Sequence, residues 1–326
     1  MLRKSAQGQS QGQSQQPSHS ANSSRVTSAW PGPKPYSSQR KPKIMQAIGS
    51  AQRTGAKKPQ PKQVTIVLLL AGAGGVYYVL HLERVPETGR LRFVDVSVAD
   101  EDVLGKRTYE ETMQTYGNRV LSSSSSYARR VQKVADRILN VCQELDMERA
   151  KNASPTHWHV HVIDSPEKNA FALPGGSIFV FTGILPVCEN DDGLATVLSH
   201  EIAHVLARHP AEKMSGLSVV SALGFLMDMM GFDIGLSRIA LNLLMSLPNS
   251  RSMESEADHI GLLIMAKACF DPSQAVSFWQ RMGGDSAKQG SIAKSAQSIL
   301  STHPVDSTRV KKIQEWFQQL FKSFVF

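Results

Sequence analysis

The sequence predicts an α+β chain, mainly helical with one small β-sheet, behind a single N-terminal membrane helix. Three observations carry this reading. Val64 to Leu80 is uncharged and apolar. Apolar residues recur at helical spacing around His200 to His204 and again from Glu254 to Ala268. Two short stretches, His157 to Val162 and Ile178 to Phe181, have strand character.

Residues 1–62 contain eleven Lys or Arg and no Asp or Glu, are rich in Ser and Gln, and hold few apolar residues. They read as a mitochondrial presequence and disordered basic segment, the plainer alternative being the basic tail of a cytosolic or nuclear protein. Of the net charge of +8 this segment supplies +11, which leaves 8 − 11 = −3 for the remainder and no reason to invoke nucleic acid.

Residues 63–82 are expected to form the membrane helix, although a buried core helix fits the same run. Its 17 uncharged residues, Val64 to Leu80, sit at the short end of what crosses ~30 Å of hydrocarbon. Lys57, Lys58 and Lys62 precede it, and Glu83, Arg84, Glu87 and Arg90 follow, so the N-terminal flank belongs on the more negative side. In the mitochondrial inner membrane that side is the matrix, and the rest of the chain faces the intermembrane space. The lipid bilayer is then a partner, and the small residues Ala71 to Gly75 offer a surface for homo-oligomer formation.

Residues 83–124 read as a linker, with strand character from Arg90 to Val98, and 125–326 as the main domain. Val131, Val134, Ile138, Val141, Cys142 and Leu145 form a helical stripe. Trp158, Val160 and Val162 then alternate with His157, His159 and His161. Three histidines on one strand face invite a metal site, but no acid or cysteine accompanies them, and an exposed polar face explains the alternation. Asn169 to Thr182 reads as a hairpin turning at Pro174-Gly175-Gly176. Leu217 to Leu247 is apolar but broken by Asp228, Asp233 and Arg238, too short between charges to span a bilayer. Asp271-Pro272 starts another helix, Gly283 to Lys294 is a flexible connection, and a last helix follows His303-Pro304. Cys142, Cys188 and Cys269 lack any C-x-x-C spacing, and no nucleotide-binding glycine loop occurs, so no ATP requirement is expected.

The chemistry lies in His200-Glu201-Ile202-Ala203-His204. Asn190, Asp191 and Asp192 offer caps for the helix that carries it, and Pro210 marks its end. On a helix the two histidines lie one turn apart on one face and can hold one metal ion. Zinc, one per chain, suits two neutral imidazoles, and the glutamate between them can deprotonate a metal-bound water for peptide-bond hydrolysis. A metzincin would place a glycine at Ala207 and a histidine at Pro210, so that subclass fails and His209 reads as an ordinary helix-end histidine. Glu254 and Asp258 share a helix face. One can ligate zinc while the other accepts the spare N–H of a ligand histidine. Glu256 points elsewhere and reads as solvated.

This HExxH followed by Glu254-x-x-Ala257-Asp258 resembles the gluzincin family that includes the CAAX prenyl endoprotease and the bacterial membrane protease HtpX. Asn169 to Gly176 and His303-Pro304 with Arg309 match the same pattern. The resemblance implies a zincin-like metallopeptidase domain at 125–326, with Glu254 as third zinc ligand and Asp258 and Arg309 supporting the ligands. It further implies Asn169 and Ala170 on a substrate-binding strand edge, His303 as donor to the oxyanion, and Glu201 as general base and acid. HtpX carries membrane helices in the region of Leu217 to Leu247. With one N-terminal span, the chain is most similar to the mitochondrial inner-membrane branch whose activity overlaps that of the m-AAA protease. That implies a membrane-anchored zinc metalloendopeptidase acting on membrane-protein or unfolded polypeptide substrates in quality control or stress-linked processing. A prenyl-protein processing enzyme of the endoplasmic reticulum is the alternative of the same chemistry. A non-catalytic membrane scaffold with a zinc site is the alternative of another class.

Overall fold

The apolar run forms a helix, α1 (Pro61–Leu80), in a computed structural model that describes residues 60–86, 88–149, 157–230, 251–288, 299, 303 and 307–324. Ile66, Leu68, Leu69, Leu70, Val76, Val79 and Leu80 on it are exposed. Among the described residues no helix is long and apolar enough to cross a membrane. The apolar part begins only after Pro61, Lys62 and Gln63. Residues 1–59 of the expected presequence, and 231–247 of the apolar segment, lie outside the described residues.

The stretch expected as a linker is folded. Strands β1 (Leu82–Arg84) and β2 (Leu91–Phe93) pair antiparallel with Glu83 opposite Arg92, and α2 (Val98–Tyr116) follows. Ser97 caps α2 by accepting from the Asp100 amide, and Asp100 and Glu101 favour its N-terminal dipole end. Tyr109, Met113 and Tyr116, spaced one turn apart, pack on Ile163, Leu173, Phe179 and Phe181, one face of a small sheet.

That sheet has three strands in the order β3-β5-β4: β3 (His159–Ile163), β4 (Ala170–Leu173) and β5 (Ser177–Phe181). The central β5 pairs parallel with β3 and antiparallel with β4, and the β4–β5 turn is the expected Pro174-Gly175-Gly176. Both glycines there have positive φ, 84° and 87°, which a side chain would resist. Helix α3 (Ser126–Arg149) covers the other face through Val131, Val134, Ile138 and Cys142, all buried. Among the described residues no metal-holding cluster includes the histidine strand; His161 stacks on Phe179 and tilts against Tyr109.

The remaining helices enclose the site. Among the described residues the long ones are α4 (Asp191–Leu206), α5 (His209–Met229), α6 (Arg251–Lys267), α7 (Ser273–Lys288) and α8 (Ser307–Phe324), with a four-residue helix Leu185–Cys188 leading into α4. Helix α7 runs through Gly283 to Lys288, where a flexible connection was expected; its buried Phe278, Trp279 and Met282 anchor it to the core and carry the helix past the glycines. Helix α5 covers the first part of the apolar segment, and Leu223 and Phe225 on it are exposed. Cys142, Cys188 and Cys269 are free thiols.

Candidate active site

Helix α4 starts where Asn190 Oδ1 accepts from the Gly193 amide at 2.8 Å, and its core-facing residues then bury His200, Glu201 and His204 in one run. Helix α6 lies along it. At the crossing, Gly261 faces the backbone of His200 so closely that a Cβ would come within 3.3 Å of the His200 nitrogen. Gly261 lies one and two turns beyond Asp258 and Glu254 on the same face, so this close approach delivers both carboxylates to the histidines.

His200 Nε2 and His204 Nε2 are 3.1 Å apart. Glu254 puts Oε2 3.5 Å from the first and Oε1 3.6 Å from the second. His303 Nδ1 joins them, 3.3 Å from His200 Nε2 and 3.0 Å from each Glu254 oxygen. All four side chains are buried, and their ligand atoms lie within 4.8 Å of one another. A tetrahedral ion with bonds of ~2.0–2.1 Å separates its ligand atoms by ~3.3 Å, so the observed spacings fit such an ion. Glu201 adds a buried Oε1 without a hydrogen-bond partner, 3.5 Å from His303 Nε2, where a water and a reacting group would meet it.

The electrostatics favour a cation. Burial alone would raise Glu254, but the bonds from His200 and His303 outweigh it and hold the carboxyl far below its usual range. Burial would lower His200, yet Asp258 and Glu254 raise it to about 9. His204 lies well below its ordinary value because of burial and the neighbouring histidines. Glu201 is raised by burial, toward the range useful to a general base.

Asp258 Oδ1 is 3.0 Å from His200 Nδ1, and Arg309 donates Nε and Nη2 to Asp258 at 2.7 and 2.8 Å while Nη1 reaches Glu254 at 3.1 Å. The Arg309 guanidinium stacks over Trp279, 3.8 Å from the ring centroid. Ala170 lies on β4, which pairs with β5 on one side and with no strand on the other among the described residues. Asn169 immediately precedes it and accepts the Phe181 amide at 3.0 Å.

Two expectations fail. Glu256 is not solvated: it is buried, receives Nε and Nη2 of Arg90 at 3.1 and 2.6 Å, and is bonded by Thr88. His209 is not an ordinary helix-end residue, since it is buried with Nδ1 2.7 Å from His204 Nδ1 and Nε2 3.1 Å from Glu256 Oε2. The signal for Glu256 was available. It shares a helix face with Met253, Ile260 and Ile264, an apolar stripe on which a charge implies a buried partner. For Arg90 no sequence signal existed.

The description Peptidase family M48 belongs to the family model that matches residues 128–317. The mitochondrial metalloendopeptidase OMA1 of Schizosaccharomyces pombe is 45% identical over 255 residues, covering 77% of this chain and 71% of that protein. Its namesake in Saccharomyces cerevisiae is 34% identical over 250 residues, 76% of this chain and 72% of that one. The human metalloendopeptidase OMA1, mitochondrial, is 33% identical over 259 residues, 76% of this chain and 48% of that protein.

Proposed function

This chain belongs to peptidase family M48 and is a metalloendopeptidase, and from that premise we propose that it uses zinc, sits at the mitochondrial inner membrane and cleaves membrane-protein or unfolded polypeptide substrates. The observation that carries the chemistry is the convergence of His200, His204 and Glu254 beside a buried, unpartnered Glu201 oxygen.

A zinc ion held by these three side chains would polarise the scissile carbonyl and acidify a water. Glu201, whose proton affinity burial raises, would take a proton from the attacking water as the new C–O bond forms and pass it to the amine as the C–N bond breaks. Asp258 and Arg309 hold His200 with Nδ1 protonated, which directs its Nε2 lone pair into the cluster. His303 Nδ1 lies 3.0 Å from both Glu254 oxygens and its Nε2 3.5 Å from Glu201 Oε1, on the side where an oxyanion would develop, a position that suits it as donor to that oxyanion. The edge of β4 at Asn169 and Ala170, which no strand occupies among the described residues, suits an extended substrate added as a further strand. A second reading, His303 as a fourth ligand, is favoured by its Nδ1 lying 3.3 Å from His200 Nε2. Loss of turnover with retained zinc in His303→Ala supports the donor role, and loss of zinc supports the ligand role.

The inner-membrane assignment draws on the exposed apolar residues of α1, the basic segment before it and the mitochondrial relatives. Protease added to mitochondria with a ruptured outer membrane is expected to digest the chain beyond residue 85 or so. Protection of the peptidase domain there would overturn the topology.

A further inference from the structure

His200 and His204 both turn Nε2 toward the cluster, so each must carry its proton on Nδ1 when it ligates a metal. For His200 that proton meets Asp258. For His204 it meets another imidazole, His209 Nδ1, at 2.7 Å. His209 must therefore accept at Nδ1 and hold its own proton on Nε2, which faces Glu256 Oε2 at 3.1 Å. Every bond in the sequence His204, His209, Glu256 then has one donor and one acceptor, and the far end is a carboxylate.

That carboxylate is itself held from outside the metal helices. Arg90, in the loop of the β1–β2 hairpin, forks onto Glu256 and onto Glu212 of α5, the latter through Nη1 and Nη2 at 2.7 and 2.6 Å. The backbone around it is clamped by the same N-terminal segment. Arg92 donates to the Ala207 carbonyl, Arg208 has a left-handed φ of 51° and bonds Glu101 and the Val96 carbonyl at 2.7 and 2.8 Å, and the Asp95 amide donates to Ser215 at 3.0 Å. These contacts fix the turn that sets His209 beside His204.

We propose that Arg90, Glu256 and His209 form a relay that positions the metal ligand His204, so that the hairpin following α1 holds the active site in its working geometry. The inference rests on His204 being a metal ligand. Partners of ligand histidines typically change metal affinity by about 10- to 100-fold when removed. Arg90 and Glu256 act on the metal only through His204; they are positioning residues and touch no substrate.

The test uses the full chain and three readouts: zinc affinity by competition with a chromophoric chelator, the visible spectrum of the cobalt-substituted protein, and thermal melts in excess chelator. His209→Phe is expected to weaken zinc binding by about 10- to 100-fold and to alter the cobalt bands. Arg90→Met shifts both in the same direction by less, and Arg90→Lys restores part of the loss. The double variant binds no more weakly than His209→Phe alone, because both act on one chain of bonds. Glu111→Gln, which removes the exposed Arg107 ion pair on α2 without touching the hairpin or the relay, leaves zinc affinity unchanged. Unchanged zinc affinity and cobalt spectra in Arg90→Met and His209→Phe, with only the chelated melts lowered, would make these residues structural and overturn the relay. Additive losses in the double variant would overturn it too. A wild-type chain that takes up no zinc breaks the ligand reading itself, a result distinct from failure of the relay.

Discussion

The two histidines proposed as metal ligands are supported from opposite ends of the chain by unequal devices. His200 is held directly: its Nδ1 meets Asp258, and Asp258 is locked bidentately by Arg309, whose side chain is 7% exposed. His204 is held at one remove, through His209 to Glu256, and the arginine at the end of that route is 22% exposed. The first support joins core helices and stacks on Trp279. The second ends in a hairpin of three-residue strands that adjoins α1. A short, dry support maintains geometry under all conditions, whereas a longer one with a half-wet end yields to whatever displaces the hairpin. Disturbance before residue 97 should therefore reach His204 before it reaches His200.

The largest effects set the outer bounds of this comparison and come from the residues that both supports serve. Glu201→Gln is expected to abolish proteolysis while zinc content and melting temperature stay near wild type, because a general base at Glu201 would handle the water and not the ion. Glu254→Gln should lose zinc and melt earlier. A site saturated at a thousand times its dissociation constant contributes ~4 kcal/mol by mass action, a gap that a chelator erases. Metal analysis and melts with and without chelator decide the matter. Full zinc in Glu254→Gln would remove that residue from the ligand set.

The supports themselves are separated by stability in the absence of metal. Arg309→Met leaves Asp258 buried without its cation, a loss of about 3–5 kcal/mol for a broken buried pair. Arg90→Met leaves Glu256 still bonded to His209 and Thr88 and costs less, about 1–2 kcal/mol. Denaturant unfolding in chelator measures both. Equal losses would mean that the N-terminal support is as rigid as the C-terminal one, and the asymmetry would fall.

The asymmetry also divides what the sequence disclosed from what it did not. His200, Glu201 and His204 were legible because a helix repeat puts them on one face, and Glu254 and Asp258 because a four-residue spacing does the same. Arg309 and His303 were legible only through family resemblance, since no spacing rule joins residues so far apart. The N-terminal support was missed for a different reason. Its hairpin has three-residue strands, and α2 is polar enough to pass for a linker, although Ser97 with Asp100 and the spacing of Tyr109, Met113 and Tyr116 announced a capped amphipathic helix. Arg90 meets Glu256 across 166 residues, and only tertiary packing brings such a pair together.

A smaller effect probes the spacing on which both supports depend. At Gly261 an added Cβ lies 3.3 Å from His200 N and 3.4 Å from its Cα, so Gly261→Ala must part α4 and α6 by a few tenths of an ångström. Overpacking of this kind costs about 1–3 kcal/mol, offset by up to ~1 kcal/mol of helix propensity. Zinc affinity should fall although no ligand is changed, and Gly261→Val should lower it further. Unchanged affinity in both variants would show that carboxylate delivery does not depend on this contact.

The smallest effect belongs to neither support and must be subtracted before any pH response is assigned to them. His161 is lowered below the ordinary histidine value of about 6.5, chiefly by burial against Phe179 and Tyr109 and then by His159. The folded chain therefore takes its proton later than the unfolded chain does. The sign follows: the contribution of His161 to stability is complete above about pH 6.5 and is lost as pH falls through the lowered folded value, because the unfolded state binds the extra proton there. His161→Phe keeps the stack without the titrating group. Melting temperatures of wild type and variant, both in chelator, should diverge below pH 6.5 with the variant higher, and run parallel above it. Parallel curves down to pH 5 would mean that the acid sensitivity arises elsewhere, with the site carboxylates and their two supports the first place to look.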